Sequence, residues 1–154
     1  MPLMQWDYRF KRVTAAISTA AYGAGDVIGG LLQFWVENEK RGGYVTKLIV
    51  IDDDNVKPTG TLYLFHTLPA TIADNAPFVG SVAELKKIIG KIGVSAGDWN
   101  TLTTNGIAIV ELSPKIEYKV DSEYLNAYFI TDSTPTLGTS GLDALSFALL
   151  VDAM

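Results

Sequence analysis

Tyr44-Val45-Thr46-Lys47-Leu48-Ile49-Val50-Ile51 runs directly into Asp52-Asp53-Asp54-Asn55. After Lys57-Pro58-Thr59-Gly60 comes Thr61-Leu62-Tyr63-Leu64-Phe65-His66. This stretch shows the repeating unit of the fold, strand–turn–strand. Val45, Leu48, Ile49, Val50 and Ile51 mark a strand, the acidic and Pro/Gly residues a turn, and Thr61 to His66 a second strand rich in β-formers. The same rhythm repeats on either side. Upstream lie a strand from Leu31 to Val36, a polar turn from Glu37 to Gly43, and a first strand from Arg9 to Ser18. Between the first two strands sits a glycine-punctuated loop from Ala21 to Gly30. Downstream, Gly106 to Leu112, Ile116 to Val120, Tyr124 to Thr131 and Leu145 to Val151 continue the series. About eight strands at this spacing predict an all-β sandwich or barrel.

One helix interrupts the strands. Ser81-Val82-Ala83-Glu84 reads as a capping box, with the Ser81 hydroxyl on an exposed amide and Glu84 reaching back. Val82, Leu85, Ile88, Ile89 and Ile92 follow at helical spacing, predicting a short helix near residues 82–89 stopped by Gly90. Lys86 and Lys87 would complement its dipole. We expect residues 9–154 to form a single β-sandwich domain, preceded by an N-terminal arm over residues 1–8. That arm holds Leu3, Met4, Trp6 and Tyr8, a candidate interface that would either dock on a neighbouring surface or fold back on its own domain.

Strand faces carry further information. A two-layer sandwich alternates inward apolar with outward polar residues. Leu62-Tyr63-Leu64-Phe65, Ile107-Ala108-Ile109-Val110 and Tyr124 to Ile130 are apolar on both faces. Leu145, Phe147, Leu149 and Val151 line one face of the last strand, with Ala148 and Leu150 on the other. Such strands need a cover on the second face, from a subunit interface or from the chain's own loops and helix.

The totals agree with a structural role. The chain has 154 residues, 48% hydrophobic and only 19% charged, against about 25% charged in average domains. No apolar run approaches the ~20 residues of a spanning helix. The N-terminus lacks the pattern of a signal peptide, so we expect synthesis in a cytoplasm and no membrane partner. With no cysteine, disulfides, thiolate metal sites and thiol catalysis are excluded. A net charge of −5, with Arg9-Phe10-Lys11-Arg12 as the densest basic stretch, argues against a nucleic-acid partner.

Candidate chemistry is sparse. His66 is the only histidine, so a histidine-based general acid or base would have to be this residue. Asp52-Asp53-Asp54 is a candidate cation turn, but it lacks the glycine and distal glutamate of a calcium-hand loop. Asp26, Asp74, Asp98, Asp121 and Asp132 sit in turns, where aspartate caps local amides. Trp6, Trp35 and Trp99 could stack on a sugar, although they lie in three separate settings. Two distant carboxylates meeting as a hydrolase pair is a further possibility. No motif singles out a pair, and we expect a non-enzyme without cofactor or metal.

Three segments form a recognisable set: Tyr22-Gly23-Ala24-Gly25-Asp26-Val27-Ile28-Gly29-Gly30-Leu31; Thr61 to Phe65 followed by Pro69 and Thr71 to Phe78; and Tyr128 to Leu137. Together they resemble small accessory virion structural proteins of tailed bacteriophages, of the capsid decoration or cement type, over about Arg9 to Asp152. The resemblance implies a jelly-roll-like sandwich, a homo-oligomer (commonly a trimer), the phage major capsid protein as partner, and a place on the capsid surface. It brings no catalytic residues. Other virion parts, a head fibre base or a tail component, and a carbohydrate-binding sandwich remain alternatives.

Overall fold

A computed structural model describes residues 10–36, 42–137 and 145–153. The candidate interface Leu3, Met4, Trp6 and Tyr8 lies outside the described residues. Nine strands occur among the described residues: β1 (Phe10–Thr14), β2 (Val27–Trp35), β3 (Gly42–Asp52), β4 (Gly60–Phe65), β5 (Ile88–Val94), β6 (Trp99–Leu102), β7 (Asn105–Lys119), β8 (Tyr124–Thr131) and β9 (Leu145–Ala153). A single turn of helix, α1 (Val82–Leu85), precedes β5.

The strands make two antiparallel sheets. The large one has the order β1-β9-β3-β7-β6 and the small one β2-β8-β4-β5. Setting the short β6 aside, the pairs nest: β1 with β9, β2 with β8, β3 with β7, β4 with β5. The chain is thus one long hairpin rolled up, and the roll adds the pairings β3–β9 and β4–β8. That is a jelly roll, in which two Greek keys leave few free edges. The fold expectation is met.

Alternation explains the core. Leu48 and Val50 of β3, Leu62 and Leu64 of β4, and Phe147, Leu149 and Val151 of β9 all point between the sheets and are fully buried. Phe129 and Phe147 bridge the two sheets, ring centroids 5.2 Å apart. The glycine-rich loop becomes part of β2. Gly29 and Gly30 take φ of +86° and +64°, and the register with β8 shifts between Ile28 and Leu32. A Cβ on Gly29 would stand 2.6 Å from that of Ala15, so this bulge lets the chain after β1 press against β2.

Several local expectations need correction. The helix is confined to Val82–Leu85, and Ile88 onward is strand β5. Gly90 ends no helix: it pairs with Leu64, while Ile92 and Val94 pair with Leu62 and Gly60 and fill the core. Backbone bonds along β4 and burial of two alternate apolar residues outweigh the helical period. The capping box is half formed. Ser81 Oγ accepts the amide of Glu84 (3.3 Å), but the Glu84 carboxylate takes the Ala70 amide (2.8 Å) and Lys87 Nζ (3.0 Å) instead. Strand β6 was also unforeseen, and the two expected strands Gly106–Leu112 and Ile116–Val120 are one strand, β7.

Candidate binding surface

The three segments that carry the resemblance converge on the outer face of the small sheet. There the loop of residues 66–80 lies across β8 and β4. Its Asp74 is the hub. The Tyr22 hydroxyl donates to both Asp74 oxygens (2.8 and 3.0 Å), and the Gly29 amide donates to Oδ1 (2.6 Å). Burial, then the bond to Asp74, pushes the Tyr22 phenol well above its ordinary value. The loop backbone is stitched to β2 as well, with Val27 N to Ala76 O (2.8 Å) and Asn75 N to Val27 O (2.9 Å). From the sheet, the Tyr128 hydroxyl donates to Ala70 O (2.7 Å) and accepts the Ile72 amide (2.9 Å). Phe65, Tyr128 and Val27 are thereby buried in a second, smaller core closed by Ile72 and Phe78.

The cover is incomplete. Between it, α1 and the sheet an apolar groove of about 210 Å³ remains, lined by Tyr63, Phe78, Leu85, Ile88 and Ile130. Its surroundings are apolar too: Val79 is 79% exposed, Val82 69% and Leu85 48%. At the other end of the same face, exposed Trp35 stands opposite Tyr124, beside Gln33 and Asn126, whose amides are bonded to each other (3.0 Å).

The large sheet presents a different outer face. Ile49 is paired with Ile109, and Ile51 with Ile107, making a two-by-two isoleucine patch. Ile109 is 47% exposed, and nearby Leu102 on β6 is exposed as well. Ala148 and Leu150 on this face are buried.

The remaining candidate residues are scattered. His66 is half-buried at the end of β4, its backbone tied to Lys87 and Asp121. Asp52 is fully buried, and its carboxylate accepts the amides of Asp54 (3.0 Å) and Lys57 (2.7 Å). Asp53 bonds Asn105. The acidic run thus locks a turn, and among the described residues no three His, Asp or Glu side chains converge to hold a metal. Trp99 is buried with its indole on Pro58 O (3.1 Å), far in the fold from Trp35. Asp26 and Asp98 cap local amides as expected. Asp74, Asp121 and Asp132 instead bond residues more than 50 positions away. The groove residues and Asp74's role were not read from sequence, since each depends on which distant segment lies opposite.

No protein family matches the chain, and no curated protein matches it. Among solved structures it is similar to a family 6 carbohydrate-binding module, at 10% identity over 95% of each chain with a TM-score of 0.33. A chain of deformed wing virus is similar at 9% identity, covering 95% of this chain and 43% of that one, with a TM-score of 0.27. A chain of infectious bursal disease virus is similar at 10% identity, covering 95% and 36%, with a TM-score of 0.28. This chain therefore spans less than half the length of those viral chains. Likenesses this loose carry no argument about function.

Proposed function

We propose that the protein is a non-enzymatic virion component, a capsid decoration or cement protein on the head of a tailed phage, acting as a homotrimer bound to the major capsid protein. The observation that carries this reading is apolar surface left open on both sandwich faces, at Val79, Val82 and Leu85 on one and at Ile109 and Leu102 on the other. Exposed apolar surface of this kind marks association. Its work is mechanical: binding the assembled shell but not its separate subunits stabilises the shell by mass action. The test is to compare virions with and without the protein. Without it, they should release DNA at lower temperature and under milder osmotic or chelator stress. Equal robustness, with the protein found on the tail, would overturn the cement reading in favour of a tail component.

A second reading, carbohydrate binding, has one observation in its favour: the Trp35–Tyr124 pair beside the Gln33–Asn126 amides. Aromatic faces and amides are what a sugar ring needs. Titration with neutral oligosaccharides, repeated with Trp35→Ala, tests it. Binding lost in the variant supports the sugar site, and no binding at millimolar sugar removes it.

A further inference from the structure

The outer face of the large sheet carries a pattern that is complementary to itself. Three neighbouring rows cross β3 and β7: Ile51 beside Ile107, Ile49 beside Ile109, and Lys47 beside Glu111. The first row continues to Ser146 on β9 and Asn100 on β6, so it reads polar, apolar, apolar, polar. In the middle row Ile109 is 47% exposed. In the third, Lys47 Nζ lies 3.5 Å from Glu111 Oε1, and the Glu111 side chain is 78% exposed, open to a second cation. The five strands offer a face of up to roughly 700 Å², at about 4.8 by 3.4 Å per residue. A standard interface buries about 800 Å² on each partner.

Symmetry decides how two copies can meet on this face. A two-fold contact sets one patch against itself. For two sheets face to face the axis lies between them, either across the strands or along them. An axis across the strands, through the Ile49–Ile109 row, would lay Lys47 on the partner's Ile51 and Glu111 on the partner's Ile107. That buries charge against apolar side chains, which is costly. An axis along the strands, midway between β3 and β7, exchanges the two strands and keeps each row. Ile49 then meets the partner's Ile109, Ile51 the partner's Ile107, and Asn100 the partner's Ser146. Lys47 comes over the partner's Glu111, and Glu111 over the partner's Lys47, closing a ring of four alternating charges. We infer that two copies of the chain pack through the outer faces of their large sheets about such an axis. The isoleucines form the apolar centre, and Lys47 and Glu111 fix the register, since opposite charges across an interface set orientation and exclude wrong partners. This rests on the homo-oligomer part of the proposed function and adds a two-fold axis to it. The assembly then has an even number of chains, and combined with a threefold contact it is a hexamer.

Charge exchange tests the contact. Lys47→Glu alone sets four carboxylates together, and Glu111→Lys alone sets four ammonium groups together. Each should raise the dissociation constant at least about tenfold, because like charges set opposite each other across an interface are strongly unfavourable. The far-UV circular dichroism spectrum should stay unchanged. An equimolar mixture of the two variants should recover the association, since every carboxylate then faces an ammonium group of the other chain. The Lys47→Glu/Glu111→Lys double variant should recover it too. Sedimentation equilibrium reads all of these. A mixture that associates no more tightly than either variant alone overturns the inference, even where both single variants are weakened. So does an oligomer whose mass is the same in every variant. Variants that keep their oligomer but lose shell binding also overturn it, and give this face to the shell. The mass of the wild type separates the two levels. A trimer overturns the two-fold contact and leaves the proposed homotrimer standing, while a hexamer supports both. A dimer supports the two-fold contact alone, and a monomer at micromolar concentration overturns both.

Discussion

The two sheets of this sandwich face the outside in different ways. The outer face of the small sheet is apolar and is roofed by the chain itself, the loop of residues 66–80 held down by Asp74 and Tyr128. The outer face of the large sheet is also apolar along Ile49, Ile51, Ile107 and Ile109, yet Ile109 and Leu102 remain exposed. Similar strand sequences thus end in different environments. A strand that is apolar on both faces states that a cover is required, without saying whether the cover comes from the same chain. On the small sheet it does: of the two covers open to Leu62 to Phe65, the protein's own loop lies over Phe65.

The largest effects should come from breaking the roof. Phe65 is fully buried under it, edge-on to Tyr128 at 5.8 Å. Phe65→Ala should cost about 3–5 kcal/mol by the usual range for buried aromatics, measured by urea unfolding. Tyr128→Phe keeps the ring and removes the hydroxyl that Ala70 and Ile72 share, leaving the Ile72 amide without its acceptor. A loss of about 1–3 kcal/mol is expected, with hydrogen exchange accelerated in residues 70–78 more than in β3 or β9. A uniform acceleration across both sheets would show that the roof and the main core unfold as one unit.

The buried acid of the large sheet allows a subtler test. Burial raises the Asp52 carboxyl above its ordinary value, opposed by the amides of Lys57 and Asp54 that bond it. The folded state therefore holds this proton more tightly than the unfolded chain. Its contribution is fully present below the unfolded value, near 3.8, and is lost as pH rises through the higher folded value. Asp52→Asn cannot titrate. The wild type should lose stability relative to Asp52→Asn as pH rises from about 3.8, on top of a constant offset from the altered hydrogen bonds. A parallel pH profile for the two proteins would contradict this.

The smallest effect on folding should come from the open face. Ile109→Ser removes a half-exposed side chain and should change stability by about 0.5 kcal/mol or less. Its effect should appear in association instead, as weaker self-assembly or weaker shell binding. A large folding defect with unchanged association would mean that the isoleucine patch serves the domain alone.

Period-two alternation was enough to place most strands, and Tyr124 to Thr131 coincides with β8. This worked because burial on one side of a sheet acts on each residue through its own strand geometry. The same local reasoning failed at Ile88 to Val94, where apolar residues at helical spacing became an edge strand because β4 offered a row of backbone partners. It also left Asp74 as an ordinary turn residue, since the hydroxyl and amide it binds lie 52 and 45 positions away.

Local pattern was enough for the all-β class, the positions of most strands and the shared face of Leu145, Phe147, Leu149 and Val151 on β9, because each follows from residue type and its immediate neighbours. The jelly-roll pairing, the apolar face that the chain covers for itself and the groove left beside that cover come from long-range contacts. Those depend on which remote segments meet, and the free energy of such meetings is spread over many contacts, none of them visible in a local pattern.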